Sequence, residues 1–160
     1  MPRTVLATFV DPASGMRVEA TAGSGFTIPF DSSEGGAPAS AASPREGVLA
    51  ALAGCTAMDV ASILRKKRQR ATSYRISVVG ETGEDQHPRV FTRIVVEHQV
   101  EGDVEAEALR RSIELSATRY CPVVAMLSGT VTIEHRYRLR RHGEVEDLAA
   151  LVTVTGPGGG

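Results

Sequence analysis

The sequence is poor in sulfur and in aromatic side chains. Its 160 residues include two cysteines, no tryptophan, three tyrosines and four phenylalanines. Two cysteines, Cys55 and Cys121, are too few for a disulfide framework, and neither belongs to a Cys-x-x-Cys or His-x-x-x-His pattern with zinc-ligand spacing. We therefore expect neither a structural metal nor a cofactor. In a reducing compartment, two such cysteines are either inert core thiols or a redox pair.

An excess of charge of either sign is also lacking. Lysine and arginine number 18 against 19 acidic residues, for a formal net charge of -1. This balance gives no electrostatic reason to expect a nucleic acid or an anionic membrane as partner. Residues 1–10 contain one arginine and a strand-like run, without the longer apolar segment of a secretory signal. These features predict a cytoplasmic protein.

A single apolar stretch organises the chain, and it begins at Ser43. This residue has the position of an N-cap, Pro44 that of the first helical residue, and Glu46 completes a Ser-x-x-Glu capping box. Charged residues near the start and at Asp59 interrupt the stretch too often for a membrane span, which needs about 20 clean apolar residues. The pattern predicts a long buried helix over 44–69, whose many glycines and alanines suit a closely packed partner.

Strands and shorter helices surround this helix in the sequence pattern. Period-two alternation and turn residues predict an opening β-hairpin, later strands, and two helices, the first capped by Asp103 and the second starting at Cys121. The predicted strands cover 5–10, 16–21, 26–29, 74–79, 90–100 and 131–139, with a flexible loop over 31–42 and helices over 104–116 and 121–127. A short helix over 144–151 and an irregular end over 156–160 follow. This order indicates an α+β fold with mainly antiparallel sheet.

The two cysteines differ in their expected surroundings. Cys121 stands where a helix begins, followed by Pro122, and backbone N–H groups at a helix start lower the pKa of a thiol. Cys55 lies in the middle of the long helix, so its ionisation needs a cation or a hydrogen-bond donor from elsewhere. Taken alone, the residues leave two interpretations open: reactive thiols, or two small core side chains.

Three stretches of the sequence are distinctive when taken together. They are PREGVLAALAGCTAMDVASILRKKRQ, HPRVFTRIVVEHQVEG and LSATRYCPVVAML. They resemble the OsmC/Ohr family of thiol-dependent hydroperoxide reductases, in particular its OsmC-like branch. The resemblance divides the chain into an OsmC-like domain, 1–139, and a partly disordered C-terminal tail, 140–160. It implies antiparallel sheets wrapped around long central helices in an intertwined homodimer.

The resemblance also implies roles for individual residues. Cys55 is then the peroxidatic cysteine, whose thiolate attacks an organic hydroperoxide or hydrogen peroxide and becomes a sulfenic acid, in oxidative or osmotic stress defence. Cys121 is the resolving cysteine, and a dithiol or dithiol protein reduces the resulting disulfide. In the Ohr branch an arginine of an early hairpin and a glutamate near the start of the central helix assist the thiolate. Arg17 and Glu46 take these places here.

Helix geometry constrains the role of Glu46. It precedes Cys55 by nine residues, which is roughly half a turn out of phase and about 13 Å along the axis. Glu46 therefore reaches a Cys55 only in a second subunit. The capping box by itself also explains Glu46, and Arg17 is equally compatible with a solvated position on a strand.

Neighbouring polar residues have simpler interpretations. Asp59 follows the first cysteine by one turn, where a carboxylate would raise the pKa of the thiol, so we expect it to pair with a cation or to hold a buried contact. Arg119 and Tyr120 either line the mouth of the site or serve packing. His98 and His135 are expected to be satisfied core or interface histidines.

Two other functions remain open at this point. One is a binding module in which a cleft lined by Leu52, Met58 and Met126 holds a small apolar ligand and the cysteines are spectators. In the enzyme, the same apolar cleft would favour organic hydroperoxides. The other is a zinc site formed by both cysteines and a histidine, which has no supporting spacing pattern. The separation of the two cysteines distinguishes the redox pair from the binding module.

Overall fold

The chain folds into two compact units, Met1–Val48 and Leu49–Gly160. A computed structural model describes residues 2–33, 37–84 and 87–159. Residues 34–36 of the predicted loop and residue 160 of the predicted irregular end lie outside the described residues. Each unit contains its own β-sheet, so the α+β class is confirmed.

The first unit is a three-stranded antiparallel sheet. Its strands are consecutive in space as in sequence: β1 (Val5–Phe9), β2 (Val18–Ala22) and β3 (Thr27–Phe30). Asp11 holds the turn between β1 and β2, because its carboxylate accepts hydrogen bonds from the N–H of Ala13 and the hydroxyl of Ser14. The predicted hairpin is confirmed, and Arg17 lies directly before β2.

Helix α1 (Pro44–Lys66) begins where the capping box predicts. The N–H and the hydroxyl of Ser43 each donate to Oε2 of Glu46 at 2.7 Å, and the Glu46 N–H donates to Ser43 Oγ at 3.3 Å. The helix ends before the predicted residue 69, since Arg68 adopts a left-handed backbone conformation with φ 57°.

The prediction of a buried helix holds along one stripe only, because the described chain leaves much of α1 uncovered. Its buried residues form a single stripe of Leu52, Thr56, Val60 and Leu64. Met58 is 74% exposed, and a Cβ added to Gly54 would meet nothing within 4 Å. By length and composition alone, α1 is long and apolar enough to cross a membrane. Core helices of soluble proteins can have the same length and composition.

The second unit contains a four-stranded mixed sheet. Its strands, in spatial order, are β4 (Arg70–Thr82), β5 (Phe91–Asp103), β6 (Thr132–Arg141) and β7 (Leu148–Thr155). β5 and β6 are parallel, and the other two pairs are antiparallel. The connection between the parallel strands carries α2 (Ala106–Leu115), a π-helical segment (Ser116–Tyr120) and α3 (Pro122–Leu127). This crossover places the start of α3 beside α1.

Two local predictions are wrong. The segment predicted as a helix over 144–151 contributes instead to β7, because its valine- and threonine-rich continuation pairs with β6 and extends the sheet. The described part of the predicted tail is therefore partly strand. Asp103 does not cap α2, because β5 extends through it; Glu105 precedes the helix without a side-chain cap.

The core of the second unit consists of two apolar clusters between the helices and the sheet. One cluster contains Leu52, Ile94, Val96, Cys121, Val124, Val131 and Ile133. The other contains Val60, Leu64, Val100, Val104, Leu109, Ile113, Tyr137 and Leu139. The α1 stripe contributes to both clusters, with the buried Thr56 between Leu52 and Val60. Both cysteines belong to or pack against the first cluster.

Candidate active site

Two elements of the second unit bring the cysteines together. Cys55 and Asp59 lie one turn apart on α1, and Cys121 immediately precedes α3. The two sulfur atoms and a carboxylate oxygen of Asp59 all lie within 4.8 Å of one another. Both cysteines are free thiols. The site therefore holds two sulfurs that can react with each other and one carboxylate.

The local sequence explains the position of Cys121. Its N–H donates to the carbonyl of Ser116 at 2.9 Å, which closes the π-helical segment. Pro122, which has no N–H to leave unpaired, opens α3. Cys121 Sγ then accepts a hydrogen bond from the Val124 N–H at 3.4 Å and acts as the N-cap of α3.

The prediction that the helix start gives Cys121 a lowered pKa is wrong, because burial raises the pKa by more than the helix start lowers it. The side chain is only 3% exposed. Burial raises the pKa of this thiol to about 12, the neighbouring Cys55 sulfur raises it further, and the N–H groups of Val124 and Val123 lower it by less. Cys121 is therefore a protonated thiol at neutral pH. Cys55 is only half-buried and is the more accessible sulfur.

Asp59 makes a part-buried hydrogen bond, which is close to the buried contact predicted for it. Ser116 Oγ donates to Asp59 Oδ2 at 3.0 Å, so the carboxylate is oriented by the residue that also accepts the Cys121 N–H. Among the described residues no ion pair reaches Asp59. The pKa of Tyr74 is raised mainly by burial and further by the negative charge of Asp59, which places that charge near the buried phenol.

Two clefts give access to this site. One, of about 640 Å³, is lined by Cys121 and residues on both sides of it; the other, of about 440 Å³, is lined by Asp59 and neighbours on α1. Tyr120 belongs to both, and Arg119 lies over its ring at 5.7 Å. These two residues therefore line the mouth of the site.

The predicted apolar cleft does not form within the described chain. Leu52 is fully buried, whereas Met58 and Met126 are 74% and 72% exposed. None of the three lines either cleft beside the thiols. Any role of the two methionines in binding an apolar substrate tail therefore requires a surface that covers them.

Arg17 and Glu46 belong to the first unit, where each has local partners. Arg17 Nη1 donates to Ser40 Oγ at 2.8 Å, and its Nη2 lies 3.5 Å from Glu19. Ser40 in turn donates to Asp31. Hydrogen bonds from the Ser43 N–H and hydroxyl lower the pKa of Glu46, so this carboxylate is ionised at neutral pH. A role of either residue in catalysis stays a prediction.

His98 and His135 are fully buried core residues. Tyr74 Oη and His98 Nδ1 are 2.6 Å apart, while Thr155 Oγ1 lies 3.5 Å from His135 Nε2. Burial lowers the pKa of His98 to about 3, with a smaller contribution from His135, and lowers that of His135 to about 4. The expected core position is confirmed, although one nitrogen of each ring has no hydrogen-bond partner.

Comparisons with known proteins identify the family. The sequence matches the family described as OsmC-like protein over residues 36–136. The chain belongs to the OsmC-like family. Protein YhfA of Escherichia coli K12 is 40% identical over 117 residues, which cover 72% of this chain and 84% of YhfA. The OsmC-like match includes Glu46 and both cysteines, whereas Arg17 precedes it.

Solved structures share the OsmC-like fold. A hypothetical protein from Aquifex aeolicus VF5 has a TM-score of 0.77 at 23% identity, covering 89% of this chain and 98% of its own. An organic hydroperoxide resistance protein OsmC from Legionella pneumophila has a TM-score of 0.61 at 12% identity, covering 86% and 96%. These similarities confirm the predicted fold.

Both cysteines are predictable from the sequence, whereas the contact between Asp59 and Ser116 is not. The spacing of Cys55 and Asp59 by four residues does place them on one helix face. Ser116 had no comparable signal, because its contact with Asp59 depends on how the crossover returns to α1. Only the three-dimensional arrangement joins these residues to Cys121.

Proposed function

We propose that this OsmC-like protein is a cysteine-based peroxidase that reduces organic hydroperoxides, and hydrogen peroxide in addition, in the cytoplasm. The observation that carries the proposal is the pair of free thiols of unequal burial in one accessible site. Family membership and the shared fold of an organic hydroperoxide resistance protein support the same chemistry.

The first step assigns attack to Cys55. Its thiolate attacks the distal oxygen of the hydroperoxide, an S–O bond forms and the O–O bond breaks. Sulfur loses two electrons, and the peroxide leaves as an alkoxide that takes a proton to become an alcohol. The half-burial of Cys55 favours this assignment, because the protonated and buried Cys121 is a poor nucleophile.

The second step assigns resolution to Cys121. Its sulfur attacks the sulfenic acid of Cys55, forming an S–S bond and releasing water. The short separation of the two sulfurs supports this step. A dithiol or dithiol protein then reduces the disulfide by exchange and supplies the two electrons that the peroxide consumed.

The assisting residues require a second subunit in this proposal. Arg17 supplies the cation that holds Cys55 ionised, and the ionised Glu46 orients that arginine. Glu46 lies nine positions before Cys55 on one helix, so it serves the thiol of the other chain in a homodimer. The exposed face of α1, including Met58, supports a covering subunit.

Intact mass measures the proposed reaction directly. We expect reduced protein treated with one equivalent of cumene hydroperoxide to lose two hydrogens, with peptide mapping placing the link between Cys55 and Cys121. Cys55→Ser should show no change, and Cys121→Ser should stop at a sulfenic acid. In the wild type, an unchanged mass, or slow over-oxidation without a Cys55–Cys121 disulfide, would contradict the proposed peroxidase activity and favour the ligand-binding alternative.

A further inference from the structure

We propose that Cys55, Asp59 and Cys121 form a binding site for a thiophilic divalent metal ion, with Zn²⁺ as the expected ion. The inference needs only the reduced thiols and does not depend on peroxidase activity. It differs from a zinc site of two cysteines and a histidine, because the third ligand is the Asp59 carboxylate of α1.

Distances among the ligand atoms suit such an ion. Both sulfurs and an oxygen of Asp59 lie within 4.8 Å of one another. Tetrahedral Zn²⁺ with bonds of about 2.3 Å to sulfur and about 2.0 Å to oxygen requires separations of about 3.5 to 3.8 Å. A contraction of about 1.3 Å at most, within reach of side-chain rotation, therefore closes the site around an ion.

The ligand set determines the class of metal. Two thiolates favour Zn²⁺, Co²⁺ or Cd²⁺ over Mg²⁺ and Ca²⁺, which prefer oxygen ligands. Binding removes a proton from each thiol and forms two metal–sulfur bonds and one metal–oxygen bond. The two positive charges of the ion would offset two of the three negative charges of the thiolates and Asp59, a carboxylate to which no described residue supplies a cation.

Surrounding groups already hold the ligands in place. Ser116 Oγ donates to Asp59 Oδ2, no described residue donates to the other carboxylate oxygen, and the Val124 N–H donates to Cys121 Sγ. Hydrogen bonds of this kind orient metal ligands. The clefts lined by Cys121 and by Asp59 give an ion access and leave room for water as fourth ligand. This is the three-ligand arrangement of an open zinc site.

The site has a functional consequence. With both sulfurs bound to metal, Cys55 cannot attack a hydroperoxide and Cys121 cannot resolve a sulfenic acid. The same three residues thus bind metal only in the reduced protein. The metal form would store the two thiols in a protected state.

Titration with Co²⁺ under anaerobic conditions tests this site without using activity. We expect about one Co²⁺ per reduced chain, with visible bands of tetrahedral coordination and thiolate-to-cobalt charge transfer in the near ultraviolet. Zn²⁺ should displace the cobalt and abolish both. Wild-type protein whose thiols have been alkylated with iodoacetamide should show neither band.

Variants assign the ligands. Cys55→Ser and Cys121→Ser should each lose about half of the charge-transfer intensity, and Asp59→Asn should weaken Zn²⁺ binding by about tenfold or more. Asp103→Asn, an exposed position at the end of β5, is the matched control and should bind like the wild type. Serine still accepts a hydrogen bond at the start of α3, so we expect Cys121→Ser to fold; thermal melting verifies each variant.

The results separate this inference from the proposed function. Absence of charge-transfer bands in reduced wild type, or bands unchanged in both cysteine variants, would overturn the metal site. Zn²⁺ affinity unchanged in a folded Asp59→Asn would overturn the role of the carboxylate. Disulfide formation is measured separately on protein treated with a chelator, so either property can fail while the other stands.

Discussion

The thiol of Cys121 experiences two opposing influences. The first N–H groups of α3 stabilise a thiolate, as the sequence predicts for a cysteine before a proline. Burial among apolar residues of the core disfavours the same charge, and its effect is larger. The helix start was predictable from Cys121 and Pro122, whereas the depth of burial depends on side chains contributed by α1, β5 and β6.

Differential alkylation tests this difference between the thiols. In native reduced protein at about pH 8, iodoacetamide should modify Cys55 well before Cys121, because only an accessible thiolate reacts. Quenching at intervals, followed by peptide mapping, gives the two rates. The denatured protein is the control, since both thiols should then react at similar rates. Labelling of Cys121 as fast as Cys55 in the native state would contradict the assignment of the attacking sulfur.

At the scale of secondary structure, a sequence pattern predicts an element correctly when the residues that contact each other are close together in the sequence. The capping box of α1 joins residues three apart, so its hydrogen bonds follow from local geometry. The pattern before α2 was misleading because Asp103 belongs to the end of β5, and the continuation of the sheet outweighs a local capping preference. β7 was missed for a related reason, since its pairing partner β6 determines its structure.

Glu46 can be tested by separating its two roles on α1. Glu46→Gln keeps a capping box but removes the charge, whereas Ser43→Ala keeps the charge and costs about 1 kcal/mol of stability. We expect Glu46→Gln to melt like the wild type and to form the disulfide about tenfold more slowly, equivalent to about 1.4 kcal/mol in the barrier. Ser43→Ala should melt earlier and react at nearly the normal rate. Equal rates for Glu46→Gln and wild type would leave Glu46 as a cap alone.

Mixing the inactive variant Cys55→Ser with the slow variant Glu46→Gln tests whether Glu46 acts between subunits. A heterodimer of Cys55→Ser and Glu46→Gln chains contains one Cys55, and the Cys55→Ser chain supplies it with an intact Glu46. We expect disulfide formation at close to the wild-type rate in that half of the sites. The Glu46→Gln homodimer is the control. No recovery in heterodimers verified by native mass spectrometry would contradict action across the dimer.

At the scale of the whole molecule, two buried histidines lie between the apolar clusters of the second unit. His98 on β5 and His135 on β6 occupy neighbouring strands and share the buried face of the sheet. The alternation of their strands predicts that face, but the hydrogen bond between Tyr74 and His98 and the unpaired ring nitrogens depend on strand register. Because both imidazoles are neutral in the folded core, the free energy of unfolding should depend on pH.

The two histidines should make stability fall in mild acid. The unfolded chain binds protons at both imidazoles as the pH drops below about 6.5, whereas the folded chain resists protonation until about pH 4 at His135 and about pH 3 at His98. Stability is therefore full above about pH 6.5 and is lost as the pH decreases toward the folded pKa values. Each histidine contributes up to about 1.4 kcal/mol per pH unit.

Urea unfolding between about pH 7 and pH 5, at fixed protein concentration, measures this slope above the range where most carboxylates titrate. His135→Gln should reduce the slope by about half, because one of the two proton-binding differences disappears. His142→Gln, at an exposed position after β6, is the matched control and should keep the wild-type slope. A flat profile in the wild type would mean that the folded core already accepts protons. An unchanged slope in His135→Gln would locate the pH dependence elsewhere.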